Sequence, residues 1–401
     1  MIHPLTNTIR PYAWGSRTAI ATLLGEPVPS PAPQAELWMG AHPDDPSRIE
    51  DGRGLDALIA ADRERELGVA TAREFGSLPF LLKLLAAGAP LSLQVHPTQA
   101  QARAGFAEED RRGIDRGDPA RNYRDANHKP EMICALTPFT GLVGFRPVHA
   151  TRELIEELDV AELGHVDAVL GACTGSEGVH EAVATLLGLD ERQRSTLVAA
   201  VGAACVRLAQ HHRWAAPAQQ IAALARSHPG DAGVIVALLM NLVRLQPGQA
   251  VFLPAGVLHA YLEGFGVEAL ADSDNVLRGG LTPKHIDVPE LLDVLDPTPG
   301  KPTVLDPECE GAERAYAVPA REFRLSRVDV ARSSPVDLRA VRGPQVLCTT
   351  AGTVTVERAG AFLDLPPGRS AYLSASDAPI RLSGHGSVHR CRVDLSAPGV
   401  P

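Results

Sequence analysis

The stretch Leu91-Ser92-Leu93-Gln94-Val95-His96-Pro97 decides how this chain is read. Residues i and i+2 of a strand face the same side. An extended Leu91 to His96 therefore presents Ser92, Gln94 and His96 to one cavity and turns Leu91, Leu93 and Val95 the opposite way. Pro97 has no N–H to offer a neighbouring strand and ends the ladder there. Two later stretches supply partners, Asn127-His128-Lys129-Pro130-Glu131 and Pro254-Ala255-Gly256-Val257-Leu258-His259. An amide oxygen, two imidazoles and a carboxylate make a ligand set for zinc or a similar divalent cation. Singly, Gln94 reads as a strand amide, Glu131 as a surface acid and His259 as a turn residue, because polar side chains mostly sit exposed. Together with His96 they predict one metal site. The neutral amide of Gln94 keeps the charge around the ion low and so preserves its Lewis acidity.

The chain has 401 residues, 45% of them hydrophobic, enough for two or three domains with their own cores. A formal net charge of -10 argues against nucleic acid as a partner, since neutralising phosphates needs a basic face. An anionic substrate must then be drawn in by a locally positive pocket. The six cysteines (Cys134, Cys173, Cys205, Cys309, Cys348, Cys391) are scattered, with no C-x-x-C pair. That spacing fits a reducing cytoplasm better than a zinc ribbon or a disulfide framework. Met1-Ile2-His3-Pro4 has no basic region followed by an apolar run, and no stretch has the ~18 apolar residues of a membrane span. The expectation is a cytoplasmic chain, complete as it stands, monomeric, with no membrane partner.

Texture changes twice along the chain. Up to about residue 150, short apolar runs punctuated by Pro and Gly suggest strands and loops, with helical patterns near Leu55 to Phe75. Pro79 to Leu85 is apolar apart from Lys83, and Glu108 to Asp125, rich in Arg and Asp, reads as a solvated loop. From residue 151 to 245, Ala and Leu dominate and apolar residues recur at helical spacing, as in Leu197, Val201, Cys205 and Leu208. His211 and His212 lie there as neighbours, about 100° apart on a helix and so unsuited to sharing a metal; both read as surface residues. Beyond residue 301, alternating stretches such as Phe323 to Val330, Thr353 to Val356 and His389 to Leu395 predict an all-β unit. Gly248, Pro254, Gly256 and His259 match the second sequence motif of cupins, and Gly368 to Ser374 echoes its first half without a histidine. The fold expected is mainly β with an α-helical insert: a bicupin of two jelly-roll β-barrels plus a helical domain. Its catalytic cupin domain takes 1–150 and 246–300, the helical insert 151–245, and a C-terminal jelly-roll without metal 301–401.

The lysines give an independent clue. Of 38 Lys plus Arg, only Lys83, Lys129, Lys284 and Lys301 are lysine. In a chain that otherwise uses arginine, a retained lysine suggests a need for a compact ammonium or a titratable amine. Three of the four lie in or beside the stretches already quoted. Asp272-Ser273-Asp274-Asn275-Val276-Leu277-Arg278-Gly279-Gly280-Leu281-Thr282-Pro283-Lys284 adds Arg278 and Lys284 shortly after His259. Guanidinium and ammonium groups beside a metal cavity suit a sugar phosphate.

These stretches resemble those of type I mannose-6-phosphate (phosphomannose) isomerases in the cupin superfamily. The resemblance also includes Tyr12-Ala13-Trp14-Gly15, Ala35-Glu36-Leu37-Trp38-Met39-Gly40-Ala41-His42-Pro43 and Pro79-Phe80-Leu81-Leu82-Lys83, and it spans roughly the first 290 residues in order. It implies zinc on Gln94, His96, Glu131 and His259, with manganese or cobalt as substitutes, and an active-site Arg278. It also places Ser92, Lys129 and Lys284 in the substrate pocket, with Ser92 and Lys284 toward phosphate, and leaves the exchanging base among Lys83, His128 and Lys129. The implied reaction interconverts mannose 6-phosphate and fructose 6-phosphate through a cis-enediolate, a step toward GDP-mannose biosynthesis. Two other readings compete, an iron cupin oxygenase and a non-catalytic sugar-phosphate-binding cupin. The first leaves Gln94 and the cations without a use, and the second shows that fold alone does not fix function.

Overall fold

The computed structural model describes residues 1–210 and 213–399; His211 and His212 lie outside the described residues. Strand alternation organises its first sheet. Along Phe80–Ala87, the side chains of Phe80, Leu82, Leu84 and Ala86 join one apolar core, and those of Leu85 and Ala87 join another. This is the period of a strand buried on both faces. The sheet has eleven strands. Seven follow the path Val304–Leu305, Ala250–Leu253, Glu131–Ala135, His259–Ala271, Phe80–Ala87, Glu36–Met39 and Ile9–Arg10. The long His259–Ala271 strand also pairs with Leu93–Val95 and Phe139–Phe145, which lead on to Leu277–Gly280 and Met240–Leu245.

The second sheet has nine strands, all antiparallel to their neighbours, centred on Gln345–Arg358 and Ile380–Arg392. The ends of the chain cross over. Ile2–Leu5 pairs with Ser370–Leu373 in this second sheet, while Val304–Leu305 pairs with Ala250–Leu253 in the first. One core joins the sheets, with Leu82, Met132 and Val267 from the first packed with Leu325, Val346 and Tyr372 from the second. Each sheet also has an apolar core of its own.

Helices occupy the stretch from Val148 to Leu238. The longest, Glu191–Leu208, starts at a capping box in which Asp190 accepts from the Gln193 N–H and Gln193 reaches back. Leu197, Val201, Cys205 and Leu208 share its buried face, as their spacing predicts. Earlier, Leu55–Ala61, Arg63–Leu67 and Val69–Glu74 occupy the helical pattern near Leu55 to Phe75. Among the described residues, no helix is long and apolar enough to cross a membrane.

Several sequence expectations need correction. Residues 240–245 are not helical: Met240–Leu245 forms a strand paired with Phe139–Phe145. The helices begin at Val148 rather than 151. Glu108 to Asp125 is not a wholly solvated loop, because helix Gln99–Arg111 extends into it. Glu109 is buried there and accepts from the N–H groups of Asn122 and Tyr123, with the buried Arg121 guanidinium 3.5 Å away. Charge-rich sequence hid a folded knot, since buried charges that pair and bond can be accommodated. Leu91 does not face away from the cavity; the regular strand is only Leu93–Val95, and Leu91 joins the inner core.

Candidate metal centre and substrate pocket

Register and alternation bring the distant polar residues together. With Phe80, Leu82 and Leu84 committed to the core between sheets, Lys83 and Leu85 turn inward. In Glu131–Ala135, Met132 and Cys134 take the core between sheets, leaving Glu131 inward. Antiparallel pairing then sets Glu268 opposite Lys83, and Gln94 opposite both His259 and Arg278. The inward groups enclose a chamber of about 60 Å³ lined by Lys83, Ser92, Gln94, Lys129, Glu131 and His259, with Glu36, Leu85, Leu91, Ala260, Tyr261 and Glu268 completing it. On this measure one water needs about 10–15 Å³, so the chamber has room for an ion and a few small ligands.

His96, Glu131 and His259 present one ligand atom each within a common sphere, and all three are buried. His96 Nε2 lies 3.3 Å from one Glu131 oxygen and His259 Nε2 lies 3.4 Å from the other. The outer ring nitrogens are engaged elsewhere, His96 Nδ1 with the Asn275 carbonyl at 2.7 Å and His259 Nδ1 with the Val257 carbonyl at 2.9 Å. Those contacts fix the tautomer that leaves Nε2 free to coordinate. The Gln94 amide nitrogen donates to Ser92 Oγ at 3.2 Å, which leaves its carbonyl oxygen free of that contact.

The site fits a cation. His96 Nε2 is buried without a hydrogen-bond partner, and such an orphan asks for a reason. Burial lowers the His96 imidazole to about 4, against the pull of Glu131, so the ring stays neutral and able to ligate. Burial alone would raise the Glu131 carboxyl, but the Lys129 ammonium and His96 outweigh it and hold it well below the usual carboxylate range. Lys129 Nζ is 3.1 Å from Glu131 Oε1.

Deeper in the chamber, Lys83 Nζ lies 3.5 Å from Glu36 and 3.4 Å from Glu268, with the Trp38 ring 5.1 Å away. Burial works against the Lys83 charge, yet Glu36 and Glu268 together raise its pKa above the ordinary lysine value. Trp38 donates from Nε1 to Glu36 at 2.6 Å. Glu268 lies near the buried Tyr261 hydroxyl; burial pushes its carboxyl up to about 7 despite Lys83.

Other expected residues fall elsewhere. His128 does not line the chamber. It is buried, and its Nε2 meets Glu322 of the C-terminal segment at 2.7 Å. Arg278 and Lys284 lie outside the enclosed volume. Burial lowers Lys284, and the nearby Arg278 and Arg124 add to the shift. Burial and then Arg124 lower Arg278 in the same way. Three cations thus crowd one another, and neither a salt bridge nor a hydrogen bond links Arg124, Arg278 or Lys284 to a carboxylate side chain among the described residues.

Sequence reasoning missed Glu36, Glu268, Arg124 and Glu322. A faint signal existed for Glu268, a lone acid in the apolar run Val267 to Ala271. For Arg124 and Glu322 nothing local marked them. Arg124 is positioned by Asn275, whose side chain accepts from the Arg124 N–H at 2.7 Å and donates to the carbonyls of Asp125 and Asn127. The same Asn275 backbone carbonyl holds His96.

The comparisons with known proteins agree with this geometry. The family model described as phosphomannose isomerase type I, catalytic domain, matches residues 2–148. The mannose-6-phosphate isomerase of Escherichia coli (strain K12) is 38% identical over 392 residues, covering 96% of this chain and 98% of that protein. The Homo sapiens protein of the same name is 32% identical over 382 residues, 88% of each chain. A solved structure of mannose 6-phosphate isomerase from Salmonella typhimurium, bound to its substrate fructose 6-phosphate and to zinc, matches with a TM-score of 0.90 at 37% identity. It covers 98% of this chain and 100% of that one. With identity at this level over nearly the full length, the chain belongs to the type I phosphomannose isomerase family.

Proposed function

We propose that this chain is a zinc-dependent aldose-ketose isomerase that interconverts mannose 6-phosphate and fructose 6-phosphate through a cis-enediolate. The observation that carries this is the convergence of buried His96, Glu131 and His259, the last two lining a chamber that Lys83 and Lys129 also line. These three and Gln94 would hold one zinc ion, with manganese or cobalt acceptable to the same donors. Zinc supplies Lewis acidity toward the sugar's carbonyl and hydroxyl oxygens.

The protein's own residues then divide the work. Arg278, always charged, stabilises negative charge on the enediolate or phosphate rather than taking a proton. Among the three candidate bases, Lys83 is locked as an ammonium between Glu36 and Glu268, and His128 is turned to Glu322. Lys129 lines the chamber too and pairs with one carboxylate, Glu131 at 3.1 Å, where Lys83 pairs with two; we assign the proton shuttle to it. Lys284, Arg278 and Arg124 form the phosphate cradle, since an anion relieves their mutual crowding. Ser92 lines the same pocket and joins the substrate contacts.

The finer architecture belongs to the same reading. Two jelly-roll barrels of a bicupin account for the two sheets with their separate inner cores, and for the positive-φ Gly248 and Gly368 that each precede a short strand. The helical stretch is read as an insert in the catalytic domain, and the protein as a cytoplasmic monomer. The oxygenase reading leaves the cation set without a use, and the pure binding reading does not account for relatives named as isomerases.

A coupled assay for fructose 6-phosphate formed from mannose 6-phosphate tests the function. Turnover with zinc-loaded protein, lost on chelation and restored by zinc, is expected. Zinc-replete protein that forms no fructose 6-phosphate would overturn the proposal.

A further inference from the structure

A cavity of about 530 Å³ lies where the first helix of the helical stretch, Val148–Leu158, meets the strand Met240–Leu245 and the chain near residue 301. It shares no lining residue with the metal chamber. Arg146, Arg213, Arg244 and Lys301 line it, with Glu153 as the carboxylate among the lining residues. Glu153 is already engaged by Arg213. Lys301 is the one lysine of the four placed neither in the metal chamber nor in the proposed phosphate cradle.

The cations here differ from an ordinary solvated face. Arg146 is buried, 8% exposed, and its guanidinium donates to the carbonyls of Leu238 and Met240 at 3.1 and 2.9 Å. Those bonds engage two of its five N–H donors without neutralising its charge, and burial lowers it to about 10 with no carboxylate opposing the shift. The Trp214 ring packs 5.5 Å from the Arg146 guanidinium carbon and 5.1 Å from that of Arg213, and its Nε1 is a buried donor without a partner. Pro147 at the start of Val148–Leu158 offers no side-chain acceptor, so the positive end of that helix adds to the field. Neither Arg244 nor Lys301, both exposed, has an ion-pair partner among the described residues. A chain with net charge -10 thus gathers four cations and one spent carboxylate around a hollow.

We propose that this cavity is a second anion site that takes a phosphate dianion, either inorganic phosphate or the phosphate of a small monoester. Arg146 is its fixed buried charge, while Arg244 and Lys301 are the arms that close on the ion. Guanidinium groups give forked hydrogen bonds to phosphate oxygens and the ammonium gives a point charge. The volume leaves room for the organic part of a monoester beside Trp214.

The test is calorimetric titration of inorganic phosphate, and separately of glycerol phosphate, into zinc-loaded protein at low ionic strength. Wild type is expected to show two classes of site. R244A/K301A is expected to weaken one class by about tenfold or more, to keep the other, and to leave isomerase turnover unchanged. K284A should weaken the second class instead. Tighter binding of glycerol phosphate than of phosphate to the class lost in R244A/K301A marks a monoester as the occupant, and the reverse marks the free ion. An R244A/K301A titration that matches wild type overturns the proposal. So does an equal loss in R192A/R207A, which removes two exposed arginines from another helix. If K284A has no effect, it is the substrate reading that fails, not this one.

Discussion

Replacing Lys83 by methionine removes the ammonium that separates two buried carboxylates, and the cost follows from distances. At an effective dielectric near 20, charges 3.4 and 3.5 Å apart attract by about 5 kcal/mol each. Against that stands a desolvation penalty of several kcal/mol for a lysine 7% exposed. Breaking such a pair leaves the partner charges buried, so Lys83→Met is expected to destabilise the protein by about 3–5 kcal/mol at pH 8. Glu36 keeps its bond from Trp38. The Glu268 carboxyl, already at about 7 with the lysine present, rises further without it. The unfolded chain holds that carboxyl ionised well below pH 7, so the extra cost of keeping it protonated grows as pH rises above 7 and fades below it. Urea unfolding of zinc-loaded protein at pH 8 and pH 6 measures both effects. In the double variant, Glu268→Gln removes the orphaned carboxylate and is expected to recover about 2 kcal/mol of the loss. A loss below about 1 kcal/mol at pH 8, or simple additivity in the double variant, would refute the account of a lysine held by two acids.

Four further outcomes follow. His96→Ala or His259→Ala is expected to drop bound zinc to under about a tenth of an ion per chain after dialysis; full zinc by elemental analysis would remove that residue from the metal site. Arg278→Ala should lower kcat by about 100-fold while zinc content holds, whereas Arg124→Ala should mainly raise KM, by about tenfold; unchanged kinetics in both would empty the phosphate cradle. Glu322→Ala leaves His128 buried with neither ring nitrogen bonded, and a loss of about 2–3 kcal/mol in unfolding free energy is expected, with none if the contact is incidental. Burial holds the His389 imidazole neutral down to about 3. Below pH 6.5 the unfolded chain takes a proton that the folded one refuses, so stability falls by about 2 kcal/mol on going from pH 6.5 to 4.5. His389→Gln should flatten that slope, and parallel slopes for variant and wild type would rule the residue out.

The ligand set was legible because metal chemistry restricts residue type and strands repeat every two residues. Gln94, His96, Glu131 and His259 stand out in sequence for those reasons. So does the helical spacing of Leu197, Val201, Cys205 and Leu208, which one face of Glu191–Leu208 buries. Charge-rich sequence misled, because Glu109, Arg121 and Tyr123 are buried by contacts that no local pattern records. His128 and Lys83 were equally open in sequence as candidate bases, and no local pattern pointed to the carboxylates that meet them, Glu322 for the one and Glu36 and Glu268 for the other.

By itself, then, the sequence determined which side chains can grip a cation, which lysines are out of the ordinary, and where strand texture yields to helix. Only the tertiary structure decided that Glu268 stands across from Lys83, that Asn275 holds both His96 and the 124–127 loop, and that Ile2–Leu5 joins a strand at the far end of the chain. Periodicity is a property of one segment, whereas register and neighbour choice depend on what each face can bury against another segment, and that information is spread across the whole chain.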